Sequence, residues 1–157
     1  MSTDAVDKFA REARLYCSFV EKASALSLAE RLHTARDRLL RVYTAALSLP
    51  SVEPDDSDGA PSPDVPMDWP GFEDKDVYWE VFDPYKHDDN EPVAGSLADD
   101  VLDIYGDIRR GLALWEASQT QNAIWEWRFH FDVHWGDHAV DALRALHHAC
   151  KADVTVD

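Results

Sequence analysis

Five residues near the C-terminus have the types and spacing for metal or proton chemistry: His130, His134, Asp137, His138 and Asp141. Residues four apart are neighbours on a helix surface, so on one helix these five share a side. His134 and His138 would stand one turn apart and could share a divalent cation, as the paired His of a zincin helix do. His130 or Asp141 would complete the ligand set. The zincin pattern places Glu directly after its first His, and here that residue is Trp135. The plainer alternative is a polar face on which each His pairs with an Asp or with water.

A second group is acidic. Asp99, Asp100, Asp103 and Asp107 fall within nine residues. This density is similar to that of the helices that hold Mg²⁺ in all-α nucleotide pyrophosphatases. Metal work requires such acids to face a second ligand-bearing helix. Here they point away from the apolar stripe of their own helix and share a face with Arg110. They are therefore read as a solvated surface, open to a basic partner, and Asp99, Asp100 or Asp103 joins the His stripe only if the two faces meet. No Gly-rich phosphate loop, GxSxG elbow or CxxC pair is present, so no catalytic residue is assigned and no cofactor is expected unless the stripe takes a metal. Cys17 and Cys150 match no metal or redox spacing and read as buried thiols, with a disulfide between the first and last helices as the alternative.

The element that positions the His stripe is the Pro-free stretch from Thr120 to Cys150. Set out at ~100° per residue, Ile124, Trp125, Phe129, Phe131, Trp135, Ala139, Val140, Ala142, Leu143 and Leu146 fall within roughly 200°. So wide an arc predicts a helix packed against two or three others. Gly136, inside it, would allow a close approach by another helix or an aromatic ring.

Three further helices are predicted. Val6, Phe9, Ala10, Ala13, Tyr16, Cys17, Val20 and Ala23 recur at helical spacing, with Ser2 or Thr3 as cap. Ser27-Leu28-Ala29-Glu30 is a capping box that opens the second helix, whose Arg31, Arg36, Arg38 and Arg41 lie mostly off the apolar face. Ser96-Leu97-Ala98-Asp99 opens the third, striped by Leu97, Val101, Ile104, Tyr105, Ile108, Leu112 and Trp115. The predicted fold is an all-α four-helix bundle, with helices at about 4–25, 28–48, 97–118 and 121–148, forming one domain over 1–157.

Between helices two and three runs a long acidic crossover. Residues 50–66, PSVEPDDSDGAPSPDVP, hold five Pro and no base, and are expected to form a mobile surface loop. Residues 67–92 are too aromatic for a linker and too interrupted by Pro for a long helix. A turn or two of helix and irregular segments are expected there, with rings covering the open side of the bundle. The tail 152–157 has no period and should fray.

The net charge of −16 is unevenly placed: residues 50–107 carry 18 acids and 2 bases, and the rest of the chain balances. That excess argues against direct nucleic-acid binding and permits a basic protein partner. No segment approaches the ~20 apolar residues of a membrane span. The amphipathic, charged N-terminus is unlike a signal peptide, so a cytoplasmic location is expected.

Gly95-Ser96-Leu97-Ala98-Asp99-Asp100, Asp103-Ile104-Tyr105, Asp107, His134-Trp135-Gly136 and Ala142-Leu143-Arg144-Ala145-Leu146-His147 together resemble a bacterial family, domain of unknown function 5063. Trp79-Glu80-Val81-Phe82-Asp83 is similar to its pre-helix segment. The resemblance spans roughly Tyr78 to His147 and implies an all-helical cytoplasmic bacterial protein, with no activity, cofactor or catalytic residue attached. Three roles remain: an acidic binding or regulatory module for a basic protein, a metal-binding bundle or metal-dependent hydrolase, and an oligomer joined through Trp69, Trp79 or Trp127.

Overall fold

The computed structural model describes residues 3–55, 59–88 and 91–151. Ser2, expected as a cap, and the tail 152–157 lie outside the described residues. Helix α1 spans Thr3–Lys22 and α2 spans Leu28–Ala46; strands β1 (Val77–Glu80) and β2 (Val93–Ser96) precede α3 (Leu97–Glu116). Helix α4 (Thr120–His130) continues through a π-helical turn, Phe131–Trp135, into α5 (Gly136–Lys151). The architecture is a four-helix bundle if α4 and α5 are taken as one rod, with a small hairpin in the crossover.

Neighbours close a ring. Helix α1 packs on α2 and α3, α3 packs on α4 and α5, and α5 returns to α2. Phe9, Tyr16, Leu39, Ile104, Ile108, Trp127, Trp135 and Leu146 are fully buried at its centre. Phe9 meets the Trp127 ring at 4.8 Å between centroids. Buried polar tips of aromatic side chains must find partners. The Tyr16 hydroxyl donates to the Val101 carbonyl at 2.9 Å, and the Trp127 indole N–H donates to the Ile108 carbonyl at 3.0 Å.

The capping box at Ser27 forms as read, with Glu30 N donating to Ser27 Oγ and Ser27 N donating to Glu30 Oε2 at 2.8 Å. At α3 the Ser96 oxygen accepts from Asp99 N, and a second, non-local cap joins it. Asp76 accepts from Ala98 N at 2.7 Å and from Ser96 Oγ at 2.9 Å, while its carbonyl accepts from Leu97 N. Asp76 thus welds the crossover to the start of α3. Arg31, expected away from the apolar face, is buried and pins the crossover from the other side. It donates to the Gly71 carbonyl at 3.0 Å and to the Leu26 carbonyl at 2.6 Å. Within the acidic Pro-rich segment, the Glu53 carbonyl accepts from Gln121, and Asp55 exchanges hydrogen bonds with Asn122.

Two expectations need correction. The crossover contains a strand pair where helical turns and irregular chain were expected. Strand β1 pairs antiparallel with β2, with Tyr78 opposite Gly95, and only a short 3₁₀ turn, Glu73–Lys75, precedes it. Val-Tyr-Trp-Glu is a β-prone tetrapeptide, but four residues carry too little period to read, and its partner lies beyond Pro84 and Pro92.

The second correction concerns the phase of the C-terminal rod. A uniform α-period put Phe129 and Val140 inside and left Trp127 out. Phe129 and Val140 are in fact 44% and 45% exposed, and Trp127 is fully buried. The π turn is the cause. It inserts an extra residue into the helical ladder, so the buried face before it is out of step with the face after it. Gly136 serves this turn rather than a neighbouring helix: a Cβ there would lie 2.4 Å from the Phe131 carbonyl oxygen, to which Gly136 N donates.

Candidate metal centre

Helix α3 and the C-terminal rod are in direct contact, and the two polar faces meet there. On α3, Asp100, Asp103 and Asp107 stand at steps of three and four, so they point one way. On the rod, His134 and His138 stand one turn apart, with ring centroids 4.8 Å from each other. The expectation of a solvated acidic face holds for Asp99 and Asp103, which are exposed, and fails for Asp100 and Asp107, each only 5% exposed. These two carboxylates are under the imidazoles and closed to an outside partner.

Each buried carboxylate holds one ring. Asp107 Oδ2 lies 2.6 Å from His134 Nδ1, and Asp100 Oδ1 lies 2.7 Å from His138 Nδ1. A carboxylate in this position accepts a proton-bearing nitrogen, which fixes the Nδ1–H tautomer and leaves the Nε2 lone pair facing away. Asp103 stands on that far side, with its Oδ2 3.6 Å from His138 Nε2. Asp103, His134 and His138 each offer a ligand atom, and these atoms lie within 4.8 Å of one another.

His130 and Asp141 are placed elsewhere. His130 Nδ1 faces the Glu126 carbonyl at 2.9 Å and the Glu126 carboxylate at 3.3 Å. Glu126, itself buried, bonds Arg110 at 2.9 Å, and Arg110 reaches Asp107 at 3.5 Å. The result is a chain of alternating charge that offsets the burial of two acids. Asp141 stands close to Glu80 of β1 and is not among the clustered ligand atoms of Asp103, His134 and His138.

The hairpin completes the outer layer. The Tyr78 hydroxyl contacts Asp100 Oδ2 in a short hydrogen bond and lies 3.1 Å from Glu80 Oε2. Burial, and then the bond to Asp100, hold the Tyr78 phenol protonated well above its ordinary range, so it donates. Asp100 is therefore gripped at both oxygens, by His138 and by Tyr78. The same bond to Asp100 raises the His138 pKa; burial opposes it, and the charges of Asp100, Asp103 and Glu80 add to it. Asp141 is pushed up to about 6, first by burial and then by the Glu80 charge beside it.

Sequence reasoning found His134 and His138 and admitted Asp103 only if the two faces met, which they do. It missed three contributors: Asp100 and Asp107 as supports for the rings, and Tyr78, which carried no signal. A faint signal existed for the acids, because their three-and-four spacing on α3 matches the one-turn spacing of the His pair. Elsewhere, Cys17 is a buried thiol pushed up to about 12 by burial and then by Glu21, which makes it a poor nucleophile. Trp127, a candidate interface residue, belongs to the core, whereas Trp79 is exposed. No described helix is long and apolar enough to cross a membrane.

Bundle and hairpin together define a mostly helical protein. Residues 71–152 match the model of a family described as Domain of unknown function (DUF5063), and the chain belongs to that family. The matched span contains every residue of the His–Asp seam. The fold is similar to that of protein BF1032 from Bacteroides fragilis, known from its crystal structure. The TM-score is 0.79 at 19% sequence identity, over 99% of this chain and 96% of that one. At such identity the likeness establishes a shared fold. No curated protein matches the chain.

Proposed function

We propose that this protein binds a divalent transition metal through His134 Nε2, His138 Nε2 and the Asp103 carboxylate. The observation that carries the reading is the pair of buried carboxylates, Asp107 and Asp100, at 2.6 and 2.7 Å from the opposite ring nitrogens. Carboxylate–imidazole–metal relays orient ligand rings and raise their basicity, and they accompany His ligands in most metal sites. A polar face with no ligand would have no need to bury two acids for this purpose. Two imidazoles and one carboxylate suit Zn²⁺ or a similar ion and leave positions open to water or substrate. An ion held so would lower the pKa of a bound water and supply a hydroxide, the chemistry of a metal-dependent hydrolase.

Calorimetric titration of tag-free protein with ZnCl₂ and MnCl₂ tests this. One site per chain is expected, with a rise in melting temperature, and with affinity falling about 100-fold or more in His134→Ala and His138→Ala. Absence of saturable binding, or binding that survives both substitutions together, removes the reading.

A second reading, an acidic module for a basic protein partner, is favoured by the net charge of −16 with its excess between residues 50 and 107. Asp99 and Asp103 remain available to such a partner on α3, and Asp100 and Asp107 do not. Association of this kind must weaken as salt rises, so capture that is indifferent to salt excludes it.

A further inference from the structure

A groove of about 890 Å³ runs between the hairpin and α5, outside the His–Asp seam. One wall is β1 and the residues that follow it, 77–82; the other is α5 from Asp137 to Ala149. Strand β1 pairs with β2 on one edge, and among the described residues no strand covers its other edge. Along this wall large apolar side chains stand in solvent: Val77 is 68% exposed, Trp79 74% and Phe82 84%. Val140 of α5 is also exposed. An uncovered strand edge beside exposed rings is a surface that folded proteins ordinarily blunt or use.

The charge of the groove selects its occupant. Four carboxylates line it, from Asp74, Glu80, Asp137 and Asp141, against Lys75 and Arg144. Lys75 is already paired with Asp74 at 3.8 Å. His148, whose pKa is lowered first by Lys151, is neutral at pH 7. The remaining balance is negative. Glu80 and Asp141 line the groove from opposite walls, so one cationic side chain placed between them would face both. Nucleic acid and other polyanions are repelled from such a surface.

We propose that this groove docks an extended basic peptide segment of a partner protein by strand addition to the free edge of β1. The peptide backbone pairs with β1, alternate Lys or Arg side chains face Glu80 and Asp141, and intervening apolar side chains lie against Trp79 and Phe82. Strand addition divides the work in this way: main-chain bonds give affinity and alternate side chains give selectivity. The inference does not rest on metal binding, because none of His134, His138 or Asp103 lines the groove.

The test uses three fluorescein-labelled octapeptides: alternating Lys and Val, alternating Glu and Val, and the Lys–Val peptide N-methylated at alternate residues. Anisotropy titrations with the full chain should show saturable binding of the Lys–Val peptide, weakening as salt rises, and no binding of the Glu–Val peptide. N-methylation should abolish binding, which separates strand pairing from loose adsorption to an acidic surface. Affinity should fall about ten-fold in Glu80→Gln/Asp141→Asn and in Trp79→Ser. Circular dichroism spectra and melts confirm that the variants remain folded. Equal binding of the N-methylated or acidic peptide, unchanged affinity in both variants, or no binding at all overturns the proposal. So does a solution mass showing that the wild-type chain, but not Trp79→Ser, is a dimer, since a second copy would then fill the groove.

Discussion

Asp100 Oδ1 lies 2.7 Å from His138 Nδ1, and the other oxygen of the same carboxylate accepts from Tyr78. One buried acid therefore ties the hairpin to the C-terminal rod. Supports of this kind govern the ligand they hold, and their loss typically lowers metal affinity 10- to 100-fold. Asp100→Asn and Tyr78→Phe are expected to weaken zinc binding in calorimetry without changing its stoichiometry, with the larger effect at Asp100. Unchanged affinity in both would mean that the relay does not serve a metal.

Stability of the metal-free protein should depend on pH through His138. Its folded pKa is raised, first by the bond to Asp100. The unfolded chain has the ordinary value near 6.5. The extra stability is then fully present below about 6.5 and is lost as pH rises through the higher folded value. Melting temperature should fall across that window, and His138→Gln should flatten the fall. Zinc binding should run the other way, strengthening as pH rises, because the ligand must be unprotonated. Parallel trends in the two experiments would contradict the assignment of His138.

Asp141 acts with the same sign as His138, which is the reverse of the usual behaviour of an aspartate. Its folded pKa is pushed up to about 6 from 3.8, by burial and by Glu80. The folded state therefore holds this proton more tightly than the unfolded chain does, and stability from it is present below about 4 and declines as pH rises through about 6. Asp141→Asn keeps the shape and removes the charge. It should stabilise the protein at pH 7 by at most about 1 kcal/mol, since the group is partly in solvent and screened. Urea melts at pH 4 and pH 7 should show the gain only at pH 7.

Two glycines carry opposite kinds of constraint. A Cβ at Gly111 would stand 2.2 Å from Trp127 Nε1, within the core. Gly111→Ala should lower stability by about 2–3 kcal/mol through overpacking and displacement of the indole from its Ile108 bond. At Gly136 the clash is with the π-turn carbonyl of Phe131. Gly136→Ala should favour a regular α-helix through that turn and rotate His138 relative to His134. Its expected signature is weakened zinc binding greater than its stability loss would explain. Full zinc affinity in a folded Gly136→Ala protein would show that the turn does not set the ligand geometry.

Much of the bundle was legible because its signals are local. The three-and-four spacing from Val6 to Ala23 specifies the buried face of α1, and the Ser27–Glu30 box fixes the start of α2 within a single turn of chain. The Leu97-to-Trp115 stripe does the same for α3. His134 and His138 could be paired for the same reason, since one helix turn separates them. The β1–β2 pair was hidden because neither strand is long enough to show a period, and pairing depends on a partner beyond two prolines. The phase of the rod was hidden because a π turn leaves no pattern in residue types; only the burial of Trp127 and the exposure of Phe129 reveal it.

By itself, then, the sequence determined which segments are helices, which sides of them are apolar, and that the negative charge gathers in the crossover. Each follows from residues a few positions apart, whose preferences act in any surrounding. Tertiary structure alone decided that the acidic side of α3 turns inward upon the His side of the rod. Asp100 and Asp107 are buried there although aspartate by type prefers water, because the imidazoles and Tyr78 supply their hydrogen bonds and Arg110, one turn on along α3, pairs with Asp107. The imidazoles and Tyr78 come from the C-terminal rod and from β1, both remote from α3 along the chain. Only packing could bring them within reach.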